Sequence, residues 1–331
     1  MKFETELKIA IEAVEKACRL CREVQSSLVS EETMTKKDKS PVTVADFGAQ
    51  AVICRALNET FPDDPIVAEE DTAELKAEGG ETLLAHILTH VSAILPGISE
   101  SEVIEAIDSG ASEGGAEGRL WTLDPIDGTK GFLRGEQYAV ALALIEDGEV
   151  VLGIVGCPDL PLDINDPESN TGSLLWGIKG EGSYIKQLGE SSRAKINVSE
   201  TLESKDASFC ESVESAHSSH GDAEKIADLL GVTNPPIRID SQCKYAVIAR
   251  GDASIYLRLP TRKDYVEKIW DHASGALIVT EAGGTVTDIH GRGLDFSLGR
   301  TLLSNKGIVA TNGKFHDKVI SAITQVLGDS E

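Results

Sequence analysis

The sequence is short of basic residues: 31 Lys and Arg stand against 55 Asp and Glu, a formal net charge of −24 over 331 residues. A surface that acidic repels nucleic acid polymers and anionic membranes, so neither is an expected partner. A small anionic ligand stays open, because bound metal and a few local cations reverse the field inside a pocket. No apolar run approaches about 20 residues, so no helical membrane span is expected. The opening, MKFETELKIA, mixes charged and apolar residues as a helix start does. It has the pattern of neither a signal peptide nor an Arg-rich transit peptide. The expected location is cytoplasmic, or plastid or mitochondrial if a transit peptide has been removed. The expected state is a monomer acting on a small molecule.

A disulfide framework is also missing, since the six cysteines (Cys18, Cys21, Cys54, Cys157, Cys210 and Cys243) are scattered. Cys18 and Cys21 have CxxC spacing, but they continue a helical stripe with Leu7, Ile11, Val14 and Leu28 and are read as core.

What is present is ordinary globular composition, 41% hydrophobic and 26% charged, long enough for two domains. Residues 4–30 read as an amphipathic helix. Lys36–Pro41 reads as a loop, and Val44–Leu57 as a helix with Asp46 near its start. Ile66–Ala68 is a short strand running into Glu69-Glu70-Asp71, and 72–118 begins helical and then becomes Gly- and Ser-rich surface. Leu120–Leu123 is a strand ending at Asp124. Strands Tyr138–Ile145 and Val150–Cys157 flank an Asp-Gly pair, a strong hairpin signal, and Leu174–Ile178 with Ser183–Lys186 form a second hairpin. Beyond about residue 195, short strands alternate with helices over 220–230, 242–249, 271–282 and 315–327. Hairpins first and α/β alternation second predict two domains, 1–195 and 196–331.

The chemistry concentrates in Asp124-Pro125-Ile126-Asp127-Gly128-Thr129, directly after a strand. Pro125 stiffens the turn. Two adjacent carboxylates repel, and the pairing makes sense around a cation; hard oxygen ligands select Mg²⁺, Mn²⁺ or Ca²⁺ over zinc. The Gly128 and Thr129 amides can hold a phosphate oxygen. As a lone motif it is equally readable as a capped turn. Glu69, Glu70, Asp46 and Asp271 change that weighting, because each lies at the mouth of an element. Two or three metal ions about 4 Å apart stabilise both oxygens of an in-line phosphoryl transfer.

These segments resemble the lithium-sensitive, metal-dependent phosphatase superfamily that includes inositol monophosphatase. Its signature is a Glu-Glu strand end, then DPxDGT, then WDxxxG, matched here by Ala68-Glu69-Glu70-Asp71, the 124–129 segment and Trp270-Asp271-His272-Ala273-Ser274-Gly275. Ala68 stands where many members have Gly, which leaves the ligands intact. The resemblance implies a layered α/β/α/β/α sandwich with the site between two domains. It also implies Mg²⁺, two to three ions, on Glu69, Asp124, Asp127, Asp271 and the Ile126 carbonyl. By the same resemblance Asp46 and Thr129 are the catalytic pair that activates a water, and no covalent intermediate is needed.

Within that superfamily, His217-Ser218-Ser219-His220, Asp240-Ser241-Gln242-Cys243-Lys244-Tyr245 and Tyr256-Leu257-Arg258-Leu259-Pro260 are similar to the 3′(2′),5′-bisphosphate nucleotidase branch. So are Lys39–Asp46 and Lys130–Gly135. The implied substrate is adenosine 3′,5′-bisphosphate, with 3′-phosphoadenosine 5′-phosphosulfate as a second. Gly128, Thr129, His217, Ser241, Lys244, Arg258 and Asp271 are the implied contacts. Lys244 and Arg258 suit the second, non-reacting phosphate. Without the resemblance, both are equally readable as structural cations. Zinc at HxxH lacks further nearby ligands, and Cys243 is read as packing. Inhibition by Li⁺ and a role in sulfur assimilation or salt tolerance are further implications. The rival readings are an inositol polyphosphate 1-phosphatase and a non-catalytic nucleotide-binding regulator.

Overall fold

The computed structural model describes residues 2–30, 40–166, 171–213, 220–262 and 264–328. Two long helices open the chain, α1 (Glu4–Ser30) and α2 (Ser40–Thr60). They cover one face of a seven-stranded sheet: β1 (Ile66–Ala68), β2 (Arg119–Asp127), β3 (Ala139–Glu146), β4 (Glu149–Cys157), β5 (Ser173–Ile178), β6 (Gly182–Gln187) and β7 (Arg193–Ile196). β1 pairs parallel to β2, and every later neighbour is antiparallel. The β3–β4 turn places Asp147 at φ 49° and Gly148 at φ 78°, the two positive values that a two-residue hairpin turn requires.

Side chains alternate across a strand, and β3 uses both faces. Val140, Leu142 and Leu144 pack with the residues of α1 and α2, whereas Ala139, Ala141 and Ala143 join the cluster on the other side. That second face lies under α8 (Cys243–Ala249) and α9 (Ala273–Glu281). Small residues let α9 come close: a Cβ on Gly153 would stand 2.8 Å from the Ser274 carbonyl.

Beyond α8 and α9 lies a five-stranded sheet in the order β11 (Thr285–Thr287), β12 (Ile308–Thr311), β10 (Ile255–Arg258), β8 (Phe209–Glu211), β9 (Ile237–Arg238). Its inner face contributes Cys210, Tyr256 and Ala310 to the central cluster. Its outer face, with Phe209, Ile255 and Val309, packs on α7 (His220–Leu230) and α10 (His316–Gly328). The result is the expected α/β/α/β/α layering. β7 ends at Ile196 and the strands after it belong to the second sheet, while α8 and α9 touch both sheets. Among the described residues no helix is long and apolar enough to cross a membrane.

Several boundaries differ from the sequence reading. α2 begins at Ser40, so Ser40 and Pro41 are helical and Asp46 lies in the second turn. Proline is tolerated in a first helical turn because that N–H has no helical partner. Residues 36–39 lie outside the described residues. The 72–118 stretch is not mere surface: it holds α3 (Ala73–Lys76), α4 (Gly80–Ile94) and α5 (Glu100–Asp108), and Ile87, Val91, Val103 and Ile107 are buried. β2 runs on through Asp127 instead of ending at Asp124. β7 is an unforeseen edge strand, mostly exposed.

Candidate active site

The ends of the two sheets meet around a cavity of 510 Å³. Its wall includes Glu69, Asp124, Ile126, Asp127, Gly128 and Thr129 from the first half of the chain, and Ser241, Lys244, Arg258 and Asp271 from the second. The parallel register sets Ala68 beside Leu123, so Glu69 follows directly next to Asp124, and the Glu69 N–H donates to the Leu123 carbonyl at 3.2 Å.

A β-bulge explains how Asp124 and Asp127 share that wall. Asp124 faces Ala141 and Asp127 faces Ala139, so three steps on β2 match two on β3. In a regular strand, residues three apart point to opposite faces. The extra residue re-aims Asp127 to the side of Asp124. Gly128 then turns the chain at φ 93°, where an added Cβ would stand 2.9 Å from Ser241 Cβ, and α6 (Thr129–Arg134) begins.

The carboxylates strain one another electrostatically. Glu69 is an exposed residue at the mouth of the cavity, but the protein packed around its carboxyl, then Asp271 and Glu70, push that group up to about 8. Asp124 is raised well above its ordinary value by burial and by Glu69, Asp127 and Asp271. Asp271 is raised to about 6 by burial, against the opposing pull of Arg258 and His272. Asp124 Oδ1 is buried with no hydrogen-bond partner. An all-oxygen donor set with an orphaned buried oxygen and mutually repelling charges fits a hard divalent cation.

Two cations line the same cavity. Lys244 is buried, 5.4 Å from the centre of the Tyr256 ring; burial lowers its amine below the ordinary lysine range, against Asp127. Arg258 Nε lies 2.9 Å from Glu267 Oε2, and its Nη2 donates to Tyr265 Oη at 3.2 Å and approaches Asp271 Oδ2 at 3.5 Å. Glu267 in turn meets His272 Nε2 at 3.0 Å, and His272 Nδ1 meets the Tyr245 hydroxyl at 2.9 Å. A carboxylate only accepts, so His272 donates to Glu267 through Nε2. Burial alone would raise the Glu267 carboxyl, but His272 and Arg258 hold it below the usual range.

The sequence-predicted residues are brought together unevenly. Among the described residues, Glu267, Asp271 and His272 form a trio with ligand-type atoms within 4.8 Å of one another. Glu69, Asp124, Asp127 and Asp271 line the cavity without forming so tight a group. Asp46 is buried away from the cavity wall, its Oδ1 unpartnered, and its carboxyl is raised by burial and by Glu70 and Glu69. Among the described residues no hydrogen bond joins it to Thr129, which is exposed on the rim. His217 lies outside the described residues, and with it the HxxH segment up to residue 219. Cys18, Cys21 and Cys243 are buried and free, consistent with packing. Glu267 and Tyr265 were not foreseen; the sequence offers only an acid and an aromatic shortly before Asp271. Gln242 stood inside a quoted motif without a role.

Architecture and site together define a layered phosphatase-type fold. The structure is similar over 98% of its length to inositol monophosphatase from Anabaena (Nostoc) sp. PCC 7120, with 97% of that chain covered, a TM-score of 0.63 and 22% identity. The model of the "Inositol monophosphatase family" matches residues 2–327, and the chain belongs to that family. It is 48% identical to a 3′(2′),5′-bisphosphate nucleotidase of Emericella nidulans, covering 99% of each chain. It is 45% identical to one of Schizosaccharomyces pombe, covering 98% of this chain and 97% of the relative.

Proposed function

We propose that this chain is a Mg²⁺-dependent phosphatase that removes the 3′-phosphate of adenosine 3′,5′-bisphosphate, giving AMP and phosphate. The observation that carries this reading is that Glu69, Asp124, Asp127 and Asp271 share the wall of one cavity with Lys244 and Arg258. Anion-repelling and anion-attracting groups in one pocket suit a substrate with two phosphates, one at each end. The names of the relatives at 48% and 45% identity agree with that substrate class.

Glu69, Asp124, Asp127, Asp271 and the Ile126 carbonyl would hold Mg²⁺, two to three ions. When bound, the metal offsets charge on the phosphoryl oxygens and acidifies water. Thr129 orients the attacking water through its hydroxyl, and the water's proton is assigned to Asp46, which requires that carboxylate to move from its buried place to the cavity wall. The water oxygen bonds to phosphorus as the bond from phosphorus to the ribose 3′-oxygen breaks, and the leaving oxygen takes up a proton. The Gly128 and Thr129 amides face the charge that develops on the phosphoryl oxygens. Lys244 and Arg258 grip the 5′-phosphate, while Ser241 and His217 contact ribose or base. A division near residue 195 into a carboxylate-bearing and a nucleotide-holding domain belongs to the same proposal.

Phosphate release from adenosine 3′,5′-bisphosphate, its 5′-phosphosulfate analogue and inositol 1,4-bisphosphate, with Mg²⁺ and a Li⁺ titration, tests it. Preference for the adenosine bisphosphate, lost as Li⁺ rises, is expected. Preference for the inositol ester, or tight binding without turnover, contradicts it.

A further inference from the structure

Gln242 sits between the two halves of the cavity and takes no part in the chemistry above. It is 1% exposed, and all of its polar groups are used. Its backbone N–H donates to Asp127 Oδ2 at 2.6 Å. Its carbonyl accepts from Tyr245 and Ala246 at 3.0 and 3.2 Å, which starts α8. Its side-chain Nε2 donates to the Trp270 carbonyl at 2.8 Å, and its Oε1 accepts from the Gly275 N–H at 3.1 Å. Trp270 and Gly275 bracket Asp271. One residue therefore grips the carboxylate on the bulged strand and the backbone that carries the carboxylate from the second half.

The turn that presents Gln242 is held in an uncommon shape. Ser241 lies at φ 63°, a left-handed conformation that side-chain-bearing residues seldom adopt without support. Asp240, just before it, is buried, pairs with Arg134 and accepts from the Val213 N–H at 3.2 Å. Gly128 closes on the other side, with room for no Cβ against Ser241. Packing alone would not call for an amide here, since an apolar chain of equal length fills the same space. The hydrogen-bond partners of the Gln242 amide lie on the Asp271 segment.

We propose that Gln242 is a positioning residue that sets Asp127 relative to Asp271 and thereby tunes how tightly the carboxylates hold a divalent cation. The inference rests on the reading that those carboxylates are cation ligands. Outer partners of metal ligands commonly change affinity or activity by about 10–100-fold when removed.

The test uses the full chain stripped of metal, with Mn²⁺ as the probe. Gln242→Met keeps side-chain length and loses both side-chain hydrogen bonds; Gln242→Asn keeps an amide that can reach only one of its partners. Mn²⁺ affinity by calorimetry, the thermal midpoint, and kcat and KM for adenosine 3′,5′-bisphosphate are measured for each. In Gln242→Met, Mn²⁺ affinity and kcat fall about tenfold or more, with KM moving by less than about threefold, and Gln242→Asn falls in between. A purely structural role would lower the thermal midpoint without separating Mn²⁺ affinity from KM. If Gln242→Met does not fold, Gln242→Asn carries the comparison against wild type. Wild-type Mn²⁺ affinity in a folded variant overturns the inference while leaving the cation reading intact. A wild-type chain that binds no Mn²⁺ overturns both.

Discussion

Arg258, half-buried, and Glu267, buried, form an ion pair at 2.9 Å on the wall of the same cavity that Asp271 lines. The pair holds a cation where an anionic ligand can reach it, and the carboxylate that anchors Arg258 is itself anchored by His272. Arg258→Ala should therefore raise KM for the adenosine bisphosphate about 10–100-fold, the worth of a charge-assisted hydrogen bond, and raise it less for a monophosphate ester. Steady-state kinetics on both esters checks this; equal effects would remove Arg258 from the second phosphate.

Asp127→Asn separates function from stability. Turnover should fall by at least about 100-fold, since a ligand of the proposed cation loses its charge. The metal-free protein should not lose stability, because one member of a mutually repelling group of carboxylates has been neutralised. Calorimetric unfolding in chelator, beside a phosphate-release assay, reads both. A large drop in the metal-free midpoint would contradict the electrostatic description.

Gly128→Ala should lower activity and cost roughly 1–2 kcal/mol of stability, from its left-handed φ of 93° and the 2.9 Å approach to Ser241 Cβ. Denaturant unfolding measures the second quantity. A neutral Gly128→Ala would show that the turn has slack.

Stability of the metal-free protein should depend on pH in a direction fixed by Glu69. Its folded carboxyl is raised from 4.5 to about 8, so the folded state binds the proton more tightly than the unfolded one. The associated stability is present below about 4.5 and is lost as pH rises through about 8. Asp271, raised to about 6, acts in the same sense over a lower window. Mg²⁺ should flatten the trend. Thermal midpoints against pH, with and without Mg²⁺, check it; a metal-free midpoint that rises from pH 5 to 8 contradicts it.

Much of this was legible in the chain itself. The Asp124–Thr129 motif, both hairpins and most helices have local signals, and α7 falls on the predicted residues. What was not legible depends on distant partners. The bulge that aligns Asp124 with Asp127 exists only in the register against Ala141 and Ala139. Glu267 reads as one more acid until Arg258, from a strand nine residues earlier, folds against it. The burial of Ile87, Val91, Val103 and Ile107 follows from packing of α4 and α5 on α2, obscured in the sequence by flanking Gly and Ser. The depth of Asp46 was missed because α2 starts earlier than its apolar pattern suggests.

The central claim is that Glu69, Asp124, Asp127 and Asp271 together hold divalent cations. Crystals grown with Mn²⁺, AMP and phosphate, measured at a wavelength where manganese scatters anomalously, test it directly. The account predicts anomalous peaks among those four side chains, with the phosphate beside Gly128 and Thr129. Peaks confined to Glu267 and His272, or none within the cavity, would contradict it.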